Sequence, residues 1–247
     1  MQTIDTVVES LDKIIESARS SSSPLGYFPA LYRRVTLKVN EAIQSSRFEN
    51  GPRMEQLVVI FAGRYIDAYE SYTRSGKCTQ SWQIAFENED TPSLTVLQHL
   101  LLGMNAHISL DLGIAAAEVA KNNPLDLKDD FNLINEILGD QINDTQRRLT
   151  RIFGPLGWFD SLLGSIDEQL SLFSLHYARD KAWTQMLELV TDGNNPESKI
   201  IPNRDKLVAQ FSSKLIHPPK RLLRILLWLV RILERGRVKD RIDILAQ

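Results

Sequence analysis

Hydrophobic positions along this chain recur every three or four residues, the spacing of a helix with one buried stripe, and nowhere alternate for long as a half-buried strand would. Over Thr3–Ala18 the stripe is Ile4, Val7, Val8, Leu11, Ile14 and Ile15. Ser20–Gly26 breaks it, Tyr27–Ser45 resumes it through Leu31, Val35, Val39 and Ile43, and an Asn50-Gly51-Pro52 turn ends that segment. Met54–Thr73 predicts a strong helix along Leu57, Phe61, Ala68 and Tyr72, and Gln80–Glu87 a short one carrying Trp82. Leu94–Val119 is apolar nearly all round, with Thr91 or Ser93 as its cap, and such a helix belongs in an interior. Asn122-Asn123-Pro124 stops it.

Further on, Leu127–Phe153 places Phe131, Ile134, Leu138, Ile142 and Leu149 inward, with Asp129 and Asp130 in a first turn where the helix dipole favours negative charge. Gly154–Gly157 reads as a turn and Trp158–Leu163 as a short apolar segment. Ile166–Thr191 has Phe173, Trp183 and Leu187 as its stripe, and Ile200–Leu215 is moderately amphipathic. After His217-Pro218-Pro219 comes a closing basic amphipathic segment, 219–247, with Arg221, Arg224, Arg231, Arg235 and Trp228 close together on a helical wheel. With no strand pattern and no fixed-period repeat, the chain reads as all-α: a single-domain bundle over 1–247 of about eight to ten helices packed around the buried 94–119 helix.

Polar residues interrupt the apolar pattern at few places. Inside the central helix they are His99, Asn105, His107 and Asp111; His107 and Asp111, four apart, share a face. His176 and Asp180 repeat that spacing on a later helix, beside Arg179. Arg64 falls on the stripe of its own helix, where it either pairs locally with Asp67 or reaches inward. Burying imidazole, amide and carboxylate together costs several kcal/mol unless each finds a partner, so these positions are the candidates for chemistry.

Composition narrows the function classes. With 29 Lys and Arg against 31 Asp and Glu, the chain lacks the basic excess of a nucleic-acid binder, and no nucleic-acid partner is expected. A single cysteine, Cys78, excludes an internal disulfide and a cysteine-rich zinc site and fits a reducing compartment. The first residues carry Asp5, Glu9 and Asp12 rather than a basic start and a clean apolar core, and the long apolar runs are broken by His107 and Asp111 or by Arg224 and Arg231. The expectation is a cytoplasmic protein.

Three readings of the polar constellation stay open. Histidine and carboxylate one turn apart make a two-point clamp, and His107 with Asp111 facing His176 with Asp180 would supply four ligands for zinc, iron or manganese. Such a centre would serve a metal-dependent hydrolase, with Asn105, His107, Asp111, Arg64 and Arg179 as its catalytic candidates. Alternatively each histidine hydrogen-bonds its carboxylate or a carbonyl and merely fixes helix packing, as His99 would. In the third reading, Trp82, Trp183, Phe61, Tyr65 and Met104 line a pocket for a small apolar ligand oriented by Asn105, His107 and Arg64. The 219–247 segment is either a closing helix with solvated arginines or a surface for a peripheral membrane or protein contact.

The runs LYRRVT at Leu31–Thr36, FAGRYIDAY at Phe61–Tyr69, LQHLLLGMNAHISLDLGIAAAE at Leu97–Glu118, DFNLIN at Asp130–Asn135 and ARDKAW at Ala178–Trp183 resemble an uncharacterised all-helical family known only as a domain of unknown function, with the signature N-A-H-I-x-x-D-L. The resemblance extends from about Leu31 to the carboxyl end. It implies one domain and adds weight to Arg64, Asn105, His107, Asp111, Arg179 and Asp180, but brings no reaction, and His176 does not match the family pattern. The His-x-x-x-Asp spacing is also similar to that of helical zinc-dependent phospholipase C and nuclease enzymes. That likeness is of spacing alone: the 4 histidines here are fewer than those enzymes use, and Met1-Gln2 does not resemble their amino-terminal ligand.

Overall fold

A computed structural model of the protein describes residues 2–120, 123–153, 175–193, 195 and 198–247, with only the backbone at 139–143. The expected Gly154–Gly157 turn, the Trp158–Leu163 segment and the Phe173 end of the later stripe lie outside the described residues. Every regular element among the described residues is helical, as the spacing predicts.

The first helices follow their sequence cues closely. Helix α1 (Ile4–Ser21) is opened by a reciprocal Thr3–Thr6 capping box, α2 spans Tyr27–Gln44, and α3 spans Gly51–Ser75. The Asn50-Gly51-Pro52 turn is the start of α3: Asn50 accepts from Arg53 N, and Pro52 occupies a position where its missing N–H is not needed. Asp130 sits in the first turn of its own helix, as expected, and is also buried, accepting from the backbone N–H of Glu49 (2.7 Å) and Asn50 (3.1 Å), with Arg53 Nη2 at 3.1 Å. Helix α4 (Gln80–Glu87) is tied down likewise, since Asp205 accepts from the N–H groups of Gln80 and Ser81.

The central helix, α5, runs unbroken over Val96–Ala120 and is capped by a Thr95–Gln98 box, four residues later than Thr91 and two later than Ser93 would have set it. By length and apolarity α5 would cross a membrane, yet 78% of its most apolar window is buried in the protein, which is the environment of a core helix. Helices α2, α3 and α4 pack around it together with α7 (Leu175–Asp192) and α8 (Ile200–Ile216), while α6 (Lys128–Phe153) follows a short 3-10 turn at Pro124–Leu127. Two glycines let neighbours approach. A Cβ on Gly103 would lie 2.6 Å from the Phe28 ring, and one on Gly113 would lie 2.8 Å from the Ala182 carbonyl oxygen.

That second contact explains a correction to the expected face of α7. Its buried residues are Ala178, Arg179, Ala182, Trp183, Gln185 and Met186, so the helix turns its small residues, not an aromatic stripe, against Gly113. The closing basic segment is two helices, α9 (Arg221–Leu233) and α10 (Val238–Ala246), with Gly236 at φ +76° at the corner between them. At that corner the wholly buried Glu234 carboxylate accepts from Val96 N at 2.6 Å and pairs with Arg231 and Arg241, fastening the corner to the first turn of α5.

Candidate functional site

Within α5 the five residues His107–Asp111 form a π turn, closed by an i→i+5 bond from Leu112 N to His107 O. Such turns insert a residue into a helix and are frequent where a side chain must be re-aimed. Widening the turn brings residues four apart closer to the same line along the axis. His107 Nδ1 and Asp111 Oδ2 accordingly stand 3.6 Å apart, too far for a hydrogen bond but close enough for each to feel the other's charge. Two carbonyls of the turn are held by side chains from other helices: Ser109 O accepts from Arg204 Nε (2.7 Å) and Leu110 O from Gln185 Nε2 (3.2 Å).

Asp111 is 1% exposed and fully engaged. Arg64 Nε donates to Oδ1 at 2.9 Å and Trp82 Nε1 to Oδ2 at 2.8 Å. Arg64 therefore does not make its local pair with Asp67, which points to solvent; a carboxylate sealed in the core gains far more from the cation than an exposed aspartate would. Trp82 is a partner the sequence left unassigned, since an indole on a short helix carries no spacing signal toward an aspartate 29 residues on.

His107 is placed differently. Its ring lies flat on Phe61, centroids 3.6 Å apart at 7°, and meets the edges of Tyr32 (4.4 Å) and Phe28 (5.6 Å). Only 2% of the residue is exposed, and neither ring nitrogen has a hydrogen-bond partner among the described residues. Burial lowers its pKa from the usual value, Asp111 opposes that shift and Arg64 adds to it, so the imidazole is neutral at neutral pH. Phe61, stacked on this ring, and Arg64, paired with Asp111 beside it, are both half-buried residues one turn apart on α3.

The other candidates fall elsewhere. Asn105, two residues before His107 and so on the opposite side of α5, donates to Val208 O and Ser212 Oγ and fastens α5 to α8. His99 is buried edge-on to Tyr27, with burial holding its pKa down to about 4. Arg179 is buried against α6, its guanidinium 4.4 Å over the Phe131 ring and donating to Phe131 O; burial lowers its pKa to about 10, partly offset by Asp180, and it stays charged.

His176 and Asp180 are exposed, because the inward face of α7 is the one bearing Ala178 and Ala182. The four-ligand arrangement is thus not brought together, and among the described residues no three His, Cys, Asp or Glu side chains converge as metal ligands would. Of the expected aromatic lining, Tyr65 and Trp82 join Phe61 near His107, whereas Trp183 packs on Phe131 instead. What the geometry offers chemically is a neutral imidazole with both nitrogens uncommitted, an aromatic enclosure, and a guanidinium-carboxylate pair beside it.

No curated protein and no solved structure matches the chain. A family model does match, over residues 4–218; it begins earlier than the Leu31 limit read from the motifs and stops short of α9 and α10. Covering the greater part of the sequence and the whole central motif, that match makes the chain a member of the family of unknown function DUF5995.

Proposed function

We propose that the protein binds a small, flat, largely apolar molecule at the π turn of α5, with a hydroxyl or similar group of the ligand engaging His107 and with Arg64 and Phe61 yielding to admit it. The observation that carries this reading is the pair of unpartnered nitrogens on a 2% exposed imidazole. A buried polar atom without a partner costs about 1–3 kcal/mol, and a ligand that supplies the missing partner recovers that energy as affinity. The surrounding rings of Phe28, Tyr32 and Phe61 suit an aromatic or alicyclic body, and a neutral imidazole can take up a proton at physiological pH without first shedding one. The test is NMR of His107 ring signals during titration with phenol and with indole. Shifts that vanish in His107→Phe support the reading; unchanged ring signals with both probes, or equal binding by the variant, remove it.

A metal-dependent hydrolase is the second reading, and it rests on the His107–Asp111 pair alone. Zinc, iron or manganese would take His107 readily, but both Asp111 oxygens are committed to N–H donors that would have to give way. Elemental analysis of protein purified without a metal-affinity column, joined to phosphoester assays with each metal added back, decides it: no stoichiometric metal and no turnover end this reading. The lone, half-buried Cys78 thiol, whose pKa burial raises to about 11, supports a reducing, cytoplasmic setting.

A further inference from the structure

Helix α9 is fixed from beneath by Leu223, Leu226, Leu227 and Val230, all buried, and among the described residues no side chain covers its outer side. Leu222, Trp228 and Ile232 are each 60% exposed and Ile225 is 46% exposed, a row that continues into Leu233 at the end of the helix. Scattered apolar residues on a surface need no explanation, but five on one strip of one helix do; together they expose roughly 500 Å², the size at which a patch on a monomer is often functional. The charge around the strip is one-sided. Arg221, Arg224 and Arg235 are exposed, and the one acid of the helix and its corner, Glu234, has its carboxylate wholly buried on Val96, Arg231 and Arg241. Residues 219–247 hold 8 of the 29 basic side chains and only 3 of the 31 acidic ones, so this end is basic on a chain that is otherwise acidic.

We infer that α9 is a membrane-docking helix that lays Leu222, Ile225, Trp228 and Ile232 into the headgroup boundary of an anionic bilayer. At 100° per residue, Arg224 lies roughly 40° from Trp228 on the wheel, on the flank of the strip away from Leu222, and the exposed Arg235 follows just past the end of the helix. An indole beside guanidinium groups at the border of an apolar face is the arrangement found at headgroup depth, with the cations reaching phosphate and serine carboxylate. A second copy of the chain fits less well. Two such faces paired about a two-fold axis would set arginine against arginine, and the strip falls short of the roughly 800 Å² per partner of a stable protein interface. The whole of α9 lies beyond the residues that the family model matches.

The experiment is flotation of the full chain with vesicles of phosphatidylcholine containing about 30% phosphatidylserine, against pure phosphatidylcholine. The expected result is flotation with the anionic vesicles only, weakened at least tenfold at about 0.5 M salt. Trp228→Ser/Ile232→Ser and, separately, Arg224→Glu/Arg235→Glu should each lower partition at least tenfold with unchanged melting temperature, because all four side chains are exposed. Should the apolar pair impair folding, the charge pair and quenching by brominated lipid, present in the parent and absent in Trp228→Phe, carry the test. Failure to float with anionic vesicles, equal flotation with neutral ones, or a dimer in sedimentation that Trp228→Ser/Ile232→Ser dissolves would overturn the inference, the last by assigning the face to a second copy.

Discussion

Replacing His107 by phenylalanine should make this protein more stable, an unusual expectation for a fully buried position. A neutral imidazole brings one N–H donor and one bare nitrogen, and here both are buried with no hydrogen-bond partner among the described residues, Asp111 Oδ2 standing 3.6 Å from Nδ1. Each such atom costs about 1–3 kcal/mol relative to its hydrated state, so the pair weighs against folding by about 2–6 kcal/mol. Phenylalanine removes that penalty and keeps the flat contact with Phe61 and the edges of Tyr32 and Phe28. Against the gain stand the slightly larger ring, which in a close-packed interior costs about 1–2 kcal/mol, and the loss of a 3.6 Å electrostatic contact with Asp111. Taking the lower half of the first range, the balance is a gain of about 1–2 kcal/mol, or about 3–6 °C in melting temperature for a chain of this size.

Thermal and urea unfolding of the parent, His107→Phe and His107→Ala measure it. The alanine variant, which removes the ring contacts as well, should fall by about 2–4 kcal/mol and so separates packing from polarity. A loss of 2 kcal/mol or more in His107→Phe would mean that the nitrogens have partners in the folded protein, and the case for His107 as a ligand-binding group would go with it. Taken with loss of probe binding in the same variant, a gain marks a residue kept for function at the expense of stability.

Three further outcomes follow from the packing. Asp111→Ala should cost about 3–5 kcal/mol, and because Trp82 loses its acceptor, a double-mutant cycle with Trp82→Phe should show a coupling of about 1–2 kcal/mol; additivity in urea melts would deny the hydrogen bond. His99, neutral in the fold with a pKa near 4, lets the unfolded chain take a proton first as pH falls below about 6.5, so its stabilising effect is whole above 6.5 and drains away toward pH 4. That amounts to about 3 kcal/mol, and His99→Phe should flatten the curve of stability against pH over this window; an unchanged slope would place the ring in water. Glu234→Ala should cost about 3 kcal/mol, because Arg241 is left buried without its carboxylate and α5 loses the acceptor on Val96 N, and a change under 1 kcal/mol in urea unfolding would contradict that role.

The helical class and most element limits were legible in the chain because they depend on local spacing and caps: Thr3, Asn50 and the Gln80–Glu87 segment behave as their neighbours dictate. Which polar residues meet was far less legible. The pairing of His107 with Asp111 follows from a spacing of four, but the π turn that tightens it leaves no mark in the pattern of apolar residues. The same spacing at His176 and Asp180 led outward, since Gly113 admits only the small face of α7 and the helix rotates to offer it. Arg64, Trp82, Asp130 and Glu234 find partners 29 to 138 residues away, and no one-dimensional period encodes such distances.

Those long-range partners also decide which of the polar residues in the interior need a functional explanation. Asn105 has two acceptors on α8, Asp111 has two donors, and Arg204 and Gln185 hold the carbonyls of the π turn; a folded core of this kind would need each of them with no ligand in view. His107 alone in this group makes no hydrogen bond among the described residues; its contact with Asp111 Oδ2, 3.6 Å from Nδ1, is electrostatic only. A leucine or phenylalanine would fill its place among Phe28, Tyr32 and Phe61 with less strain on the energy of folding. The surrounding network is therefore the scaffold that fixes an otherwise unhelpful imidazole in position, and the chemistry of the site reduces to what that one ring can bond when Phe61 moves aside.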